Sequence, residues 1–259
     1  ASLIVLKGFA NYTRPDGQIK WENSGELRNG WVYQGGEQSE LQKNDDKFEI
    51  TSRFGISAYK NKKWFYSGEF NFNTQLFNAY KYPKAANPVP YSAFLAPSRT
   101  FFKVGMEFKP SKEFSLLLSP LTVKNVFVRD TSLIDQTRFG IDEIRKSFWE
   151  PGMNADLYFK KNITEDFSYE TKYKMFLNYK EPFEKQDISW ENTINLKLNE
   201  FVTMRFLLHL IYDDDVKFAI YDDNNVKTGE KTKLQVKEYF SIGFQYKINR
   251  KVMHSQRLR

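Results

Sequence analysis

The chain has 259 residues, no cysteine and a formal net charge of +7, and 17% of its residues are aromatic. This length is enough for one large barrel or sandwich, and no apolar run approaches the roughly 20 residues that a membrane-spanning helix needs. Basic and acidic residues are mixed along most of the chain. The excess charge therefore does not predict a nucleic-acid partner, and anionic lipid headgroups are the expected counter-charge.

Period-two alternation of apolar and polar residues recurs in about eleven segments and predicts β-strands. Many of these segments have about 9–14 residues, close to the roughly 9–11 that a tilted transmembrane strand needs. Strands of soluble proteins average about 5–6 residues. In chain order the segments are 2–12, 18–34, 47–56, 64–73, 102–109, 113–121, 153–160, 167–179, 188–198, 202–213 and 233–248.

The gaps between these segments alternate in length. Short gaps include 14–17, 61–63, 110–112 and 199–200, and long gaps include 35–46, 80–99, 122–150 and 214–231. Barrels of the bacterial outer membrane have short periplasmic turns and long extracellular loops. The pattern therefore predicts an all-β fold, an antiparallel up-and-down transmembrane β-barrel. Tyrosine and tryptophan residues near strand ends fit an interfacial girdle, and a soluble β-sandwich is the alternative.

The number of strands raises a question of closure. Bacterial single-chain barrels have even numbers of strands, and an unpaired edge in lipid leaves backbone groups without partners. We therefore expect about twelve strands, with one before Ala1 and both termini periplasmic; the alternative is an additional strand within 123–128. Residues 1–248 are predicted to form the barrel, and residues 249–259 a short basic periplasmic tail.

Several short segments carry a family resemblance. They are 45–49 (DDKFE), 64–67 (WFYS), 94–98 (FLAPS), 114–122 (FSLLLSPLT), 210–215 (LIYDDD) and 240–244 (FSIGF). With them the chain resembles an uncharacterised family of outer-membrane β-barrels from the Bacteroidota, described mainly as a domain of unknown function. The resemblance implies a barrel integral to the outer membrane of a Gram-negative bacterium, and it implies no catalytic residues.

Charged residues alternate onto the face that would line the barrel lumen. Both signs are interleaved, which suggests ion pairs that fill the interior, whereas a selective pore more often has rings of one sign. A conducting path remains the alternative. The lumen-lining candidates are Arg53, Glu69, Lys103, Glu107, Glu170, Lys172, Glu191, Arg205, His209 and Lys237.

Two features could carry other chemistry. His209 alternates onto the lumen face, where it would bond neighbouring side chains; a lipase triad would have to face outward. Asp213, Asp214 and Asp215 could offer oxygen ligands to Ca²⁺, but they match no calcium-loop spacing and also fit a solvated loop. We expect no catalytic residues, no cofactor and no resident metal.

These expectations favour a non-enzymatic outer-membrane barrel that acts as an accessory or structural subunit of a larger outer-membrane assembly. Its expected partners are membrane lipid, lipopolysaccharide and other outer-membrane proteins. A porin-like channel or transporter for small solutes is the alternative. A membrane-embedded lipid hydrolase is a third hypothesis, and it would depend on His209.

Overall fold

The computed structural model describes residues 2–34, 40–81, 89–183, 185–214, 216, 218–221 and 227–244. Eleven antiparallel strands form one sheet in which each strand pairs with the next along the chain. They are β1 (Ser2–Thr13), β2 (Ile19–Gln34), β3 (Glu40–Ser57), β4 (Trp64–Thr74), β7 (Ser98–Phe108), β8 (Phe114–Phe127), β9 (Ser147–Asn162), β10 (Phe167–Asn178), β11 (Gln186–Lys197), β12 (Val202–Tyr212) and β15 (Gln235–Phe244).

Two small hairpins are inserted into connections of this meander. The hairpin of β5 (Ala79–Lys81) and β6 (Val89–Ser92) follows β4, and the hairpin of β13 (Phe218–Tyr221) and β14 (Lys227–Lys231) follows β12. The second hairpin lies within a gap that the sequence predicts to be long, 214–231, and the first begins one residue before such a gap, 80–99. No helix in the described part of the chain is long and apolar enough to cross a membrane.

The predicted all-β antiparallel sheet of eleven strands is confirmed, although some strand boundaries differ. Residues 123–127 continue β8 beyond an irregularity between Ser119 and Thr122, so they do not form an additional strand. The Thr122 hydroxyl donates a hydrogen bond to the Ser119 carbonyl there, at 2.9 Å. Because the irregularity shifts the alternation of apolar and polar residues, the predicted strand 113–121 ends before β8 does. Likewise β3 begins at Glu40, so the predicted gap at 35–46 was too long.

The sheet is curled, because side chains from distant strands meet on one of its faces. Arg28 of β2 pairs with Glu191 of β11 at 3.0 Å, and Lys174 of β10 pairs with Glu49 of β3 at 2.8 Å. Lys237 of β15 lies 2.9 Å from the carboxylate of Asp45 in β3. We call the face that carries these pairs the concave face.

The hydrogen-bonded ladder has two edges, β1 and β15. In the described residues no pairing joins these two strands, so closure into a barrel is not seen. Since an antiparallel sheet of eleven strands has its first and last strands running in the same direction, β1 and β15 are parallel to each other. The predicted tail, 249–259, lies outside the described residues.

The longer connections pack together through a small apolar core, which we call the loop core. Its buried members come from the segments before β7 and after β8 and from the end of β8. They are Ala93, Ala96, Val126, Val128, Ile134, Phe139 and Ile141, with Phe148 packed against them.

Local hydrogen bonds shape the loop between β8 and β9. Asp130 accepts hydrogen bonds from the hydroxyl of Ser132 at 2.7 Å and from nearby backbone amides, and these bonds, the hydroxyl first, lower its pKa. Asp135 caps a 3₁₀ helix, Gln136–Phe139, by accepting from the amide of Thr137. Gly140 ends the helix at φ 76°, a left-handed conformation that glycine adopts without steric cost. The loop therefore has a defined fold of its own.

Candidate functional site: the concave face

A buried carboxylate, Glu107 of β7, is the centre of one ion-pair cluster on the concave face. Its side chain has no exposed surface, and it lies 2.6 Å from the ammonium of Lys20 and 2.8 Å from the guanidinium of Arg53. The hydroxyl of Ser115 donates a third contact at 2.6 Å. A buried carboxylate with two cations and a hydroxyl is well compensated for its loss of water.

Strand register builds the adjoining part of this cluster. Arg53 in β3 is directly opposite Glu69 in β4, and Glu69 is directly opposite Lys103 in β7. Arg53 Nε donates to Glu69 at 2.6 Å, and Lys103 lies 3.0 Å from the same carboxylate. Lys103 also donates to Asp156 of β9 at 2.5 Å. Cations and anions therefore alternate on β3, β4 and β7, where opposite charges on facing residues attract, and the pair of Lys103 and Asp156 extends this series past β8 to β9.

A second group of ion pairs joins β2, β10 and β11. Lys172 lies 3.2 Å from Glu170 and 3.5 Å from Glu191, and Glu191 accepts from Arg28 at 3.0 Å. Lys160 of β9 pairs with Glu170 at 3.3 Å. The candidates Glu170, Lys172 and Glu191 are thus brought together, in a different region from the Glu107 cluster.

The remaining three candidates lie on β12 and β15. His209 Nε2 is 2.8 Å from the hydroxyl of Ser189, and His209 is opposite Lys237 in the sheet register. Lys237 pairs with Asp45, as described above. Arg205 Nε donates to Asn195 Oδ1 at 2.9 Å. All ten candidates lie on the strands, and nine of them engage side chains that are directly opposite or across the concave face.

A cavity of about 1760 Å³ lies against the concave face. Its lining includes eight basic and nine acidic side chains, so neither sign dominates. On β11 only alternate residues between 191 and 197 line it, whereas on β15 all residues from 239 to 244 do. A strand that is paired on both sides exposes only alternate residues to a cavity. Because every residue from 239 to 244 lines this cavity, the cavity borders the free edge of β15.

The acidic segment after β12 has defined partners. Asp213 pairs with Arg99 at 3.0 Å, and Asp214 accepts from the hydroxyl of Thr232 at 3.0 Å. Asp215 lies outside the described residues. Among the residues that the structure describes, no three acidic, histidine or cysteine side chains are grouped as a metal site.

Sequence reasoning missed two buried lysines as candidates. Lys20 joins the Glu107 cluster, and Lys124 of β8 lies 2.9 Å from Glu150 and 2.7 Å from Asp187. Lys20 shares the even-numbered face of β2 with Glu22 and Glu26, so the periodicity could have found it. Lys124 follows the irregularity in β8, after which the alternation no longer shows on which face of the sheet a residue lies.

Comparison with known proteins finds a family similarity over the first part of the chain. Residues 1–80 match the family described as Protein of unknown function (DUF3078), and this stretch covers β1 to β4 and the start of the first hairpin. Two of the segments that carry the resemblance, 45–49 and 64–67, fall within it. No curated protein and no solved structure matches the chain.

Proposed function

We propose that this chain is an integral β-barrel of the bacterial outer membrane, with twelve strands. One further strand, antiparallel to both edges, would pair with β1 and with β15 and close the sheet. The shared direction of the two edges supports a single strand between them. In lipid each unpaired backbone group costs several kcal/mol, so closure is strongly favoured.

The distribution of side chains supports a membrane location. The convex face exposes large apolar residues in mid-strand, such as Leu6 at 61%, Phe70 at 37% and Phe206 at 41%. The concave face carries the ion pairs. A soluble sandwich would place its apolar face inside, whereas a transmembrane barrel places it outside, against lipid.

The resemblance to outer-membrane barrels of the Bacteroidota extends this proposal. The DUF3078 match supports a family of unknown function over the first 80 residues. The resemblance supports a Gram-negative outer membrane as the location, with the short turns and both termini in the periplasm. Lipid and lipopolysaccharide would then contact the convex face.

Single-cysteine labelling tests the location, because the chain has no cysteine of its own. Cysteines at Phe70 and Ile50 on the convex face and at Thr51 and Ser168 on the concave face would each carry a fluorophore in reconstituted vesicles. Lipids with a quencher in the acyl chain should quench the convex labels strongly and the concave labels little. Equal quenching at all four positions would contradict the proposal.

Within the membrane we propose a non-enzymatic role as a structural or accessory subunit of a larger assembly. The observation that carries this role is the folded connection between β8 and β9, which contributes to the loop core and exposes apolar residues on its surface. Ile144 is 92% exposed and Leu133 41%, and Phe183 in the connection after β10 is 63% exposed. Large exposed apolar patches mark protein contact surfaces, and we propose that these side chains belong to one. We propose other outer-membrane proteins as the partners.

Extraction of the full-length protein from native membranes in mild detergent tests this role. Proteins that co-purify in stoichiometric amounts would be identified by mass spectrometry. Ile144→Asp should reduce their recovery, and Lys112→Asp, in a short turn at the opposite end, should not. A monomer that brings no stoichiometric protein would overturn the subunit role.

A channel or transporter for small solutes is the second candidate. The cavity of about 1760 Å³ with charged walls favours it. Conductance in planar bilayers, altered in its ion selectivity by Arg205→Glu, would support this function. Membranes that stay electrically silent with inserted protein would exclude it.

A further inference from the structure

Lysines are concentrated in two of the short connections between strands. The connection 58–63, between β3 and β4, contains three lysines and no acidic residue. The connection 109–113, between β7 and β8, contains two lysines and one glutamate. We call these two connections the lysine turns. Their lysines are Lys60, Lys62, Lys63, Lys109 and Lys112.

The lysine turns lie side by side at the same end of the sheet. Because β4 pairs with β7, the two connections are neighbours, and the amide of Lys109 donates to the carbonyl of Lys63 at 2.7 Å. The side chain of Lys62 lies against Gly17 in the connection between β1 and β2, where an added Cβ would meet it at 3.2 Å. The lysines therefore belong to one surface made by three neighbouring turns.

The carboxylates of this surface do not neutralise it. Asp16 pairs with Arg14 at 3.0 Å, and Glu22 pairs with Lys109. With Glu113 of the second lysine turn, the surface has three acidic and six basic residues, an excess of three positive charges. Four lysines are exposed and have no carboxylate within 4.0 Å among the described residues. They are Lys60, Lys62, Lys63 and Lys112.

The other short connections lack this positive excess. The connections 163–166 and 198–201, together with the last residue or two of the strand before each, contain three acidic and two basic residues. These residues are Glu165, Asp166 and Glu200, with Lys161 and Lys197. The same end of the sheet thus has a strongly basic part and a nearly neutral part, and the second can serve as an internal control for the first.

Aromatic side chains of the convex face lie next to the lysine turns. The ring of Phe108 is 4.7 Å from that of Trp64 and 6.1 Å from that of Phe114, measured between centroids. All three residues are at strand ends, and the neighbour of each along its strand is buried on the concave face. Tyr59 and Tyr66 are each 59% exposed beside them. Aromatic girdles of barrels lie at the level of the lipid headgroups, so in the proposed membrane the adjoining lysines lie there too.

We propose that the lysine turns bind the headgroups of anionic phospholipids in the leaflet at this end of the barrel. A lysine ammonium binds phosphate as a point charge that needs no fixed geometry, and lysine clusters beside a membrane attract anionic lipids. The aromatic residues favour lipid over a soluble acidic protein as the partner. The inference rests on the membrane location proposed above, and it adds the class of lipid and the part of the barrel that binds it.

Site-specific fluorescence quenching in lipid vesicles tests the proposal. An uncharged fluorophore on Ser111→Cys reports on the lysine turns, and the same fluorophore on Ile163→Cys, at a residue that is 56% exposed, reports on the nearly neutral part. The vesicles are phosphatidylcholine with a small fraction of either phosphatidylglycerol or phosphatidylcholine that carries a spin-label quencher high in its acyl chain. The ratio of quenching by the two lipids measures local enrichment of phosphatidylglycerol, whatever the depth of the label.

The expected ratio differs between the two positions. At low salt it should be at least about twofold at Ser111, because each lysine near a membrane adds attraction for anionic lipid, and close to one at Ile163. Sodium chloride at about 0.5 M should bring the ratio at Ser111 close to one, since salt screens exposed charges.

Two triple variants of Ser111→Cys separate the lysine turns from net charge. Replacing Lys60, Lys62 and Lys63 with glutamine should bring the ratio close to one. The control removes the same charge from exposed lysines in the long connections, and it should leave the ratio unchanged. Its substitutions are Lys146→Gln, Lys180→Gln and Lys231→Gln. Urea unfolding of both variants checks that they are folded.

Three results would overturn the proposal: a ratio at Ser111 no higher than at Ile163, a ratio that salt does not lower, or a ratio that survives the loss of the three lysines. Labels at Ile50 and Phe70 show which inference has failed. If quencher-bearing phosphatidylcholine quenches them while Ser111 shows no enrichment, the membrane location stands and the lipid site falls. If it does not quench them, the membrane location falls as well.

Discussion

Replacing Glu107 with glutamine tests whether the ion-pair cluster holds the sheet together. The substitution keeps the shape of the side chain and removes its charge. Lys20, 2.6 Å away and itself 7% exposed, has no second carboxylate within 4.0 Å among the described residues, whereas Arg53 keeps Glu69. Breaking a buried pair from one side costs about 3–5 kcal/mol. Because only one cation loses its partner, we expect a loss near the lower limit, about 3 kcal/mol.

Urea unfolding in detergent micelles, followed by tryptophan fluorescence, measures this loss. Glu22→Gln is the matched control, because Glu22 pairs with Lys109 with both side chains more than 20% exposed, and it should cost less than about 1 kcal/mol. Adding Lys20→Met to Glu107→Gln should restore part of the stability, since no uncompensated charge remains. Equal free energies of unfolding for Glu107→Gln and Glu22→Gln would refute the reasoning.

Three further predictions concern the backbone, the loops and the outer face. Gly105→Ala should destabilise by about 2 kcal/mol or more, because its Cβ would lie 2.0 Å from a carbonyl oxygen of β8, and Gly8→Ala, with open space around it, should be nearly neutral in the same urea assay. Ile134→Ala removes a fully buried side chain from the loop core, so limited trypsin digestion should cut between β8 and β9 faster while the sheet stays intact. Ile50→Arg on the convex face should cost about 2–4 kcal/mol in vesicles, and Thr51→Arg, facing the cavity, much less; similar losses would argue against a lipid-facing Ile50.

The sequence predicts the sheet well because the period-two pattern depends on local geometry alone. Each residue of a strand points to the face opposite its neighbours, so segments such as β10 and β12 show their two faces directly. The prediction was wrong where this regularity fails. The irregularity between Ser119 and Thr122 interrupts the alternation, so the second half of β8 was not predicted as part of that strand. Periodicity could not predict the loop core either, because its residues come from separate segments of the chain.

The candidate site was predictable as a face but not as a set of contacts. Alternation places Glu69 and Lys103 on one face, and knowledge of the strand order would place them opposite each other. It does not show that Lys237 of β15 meets Asp45 of β3, because that contact depends on how far the sheet curls.

The ion pairs on the concave face favour the curl of the sheet, which hydrogen bonds between neighbouring strands do not determine. Ladder bonds join each strand to the next, but they would permit an open, less curled sheet. Pairs such as Arg28–Glu191 and Lys174–Glu49 connect strands that are far apart in the ladder, and they form only when the sheet curls. A shift of register by one residue would turn these charges to the convex face. Contact with the lipid of the proposed membrane would make charged side chains destabilising there. The mixed charges thus favour one curl and one register, which explains why both signs are interleaved along the interior.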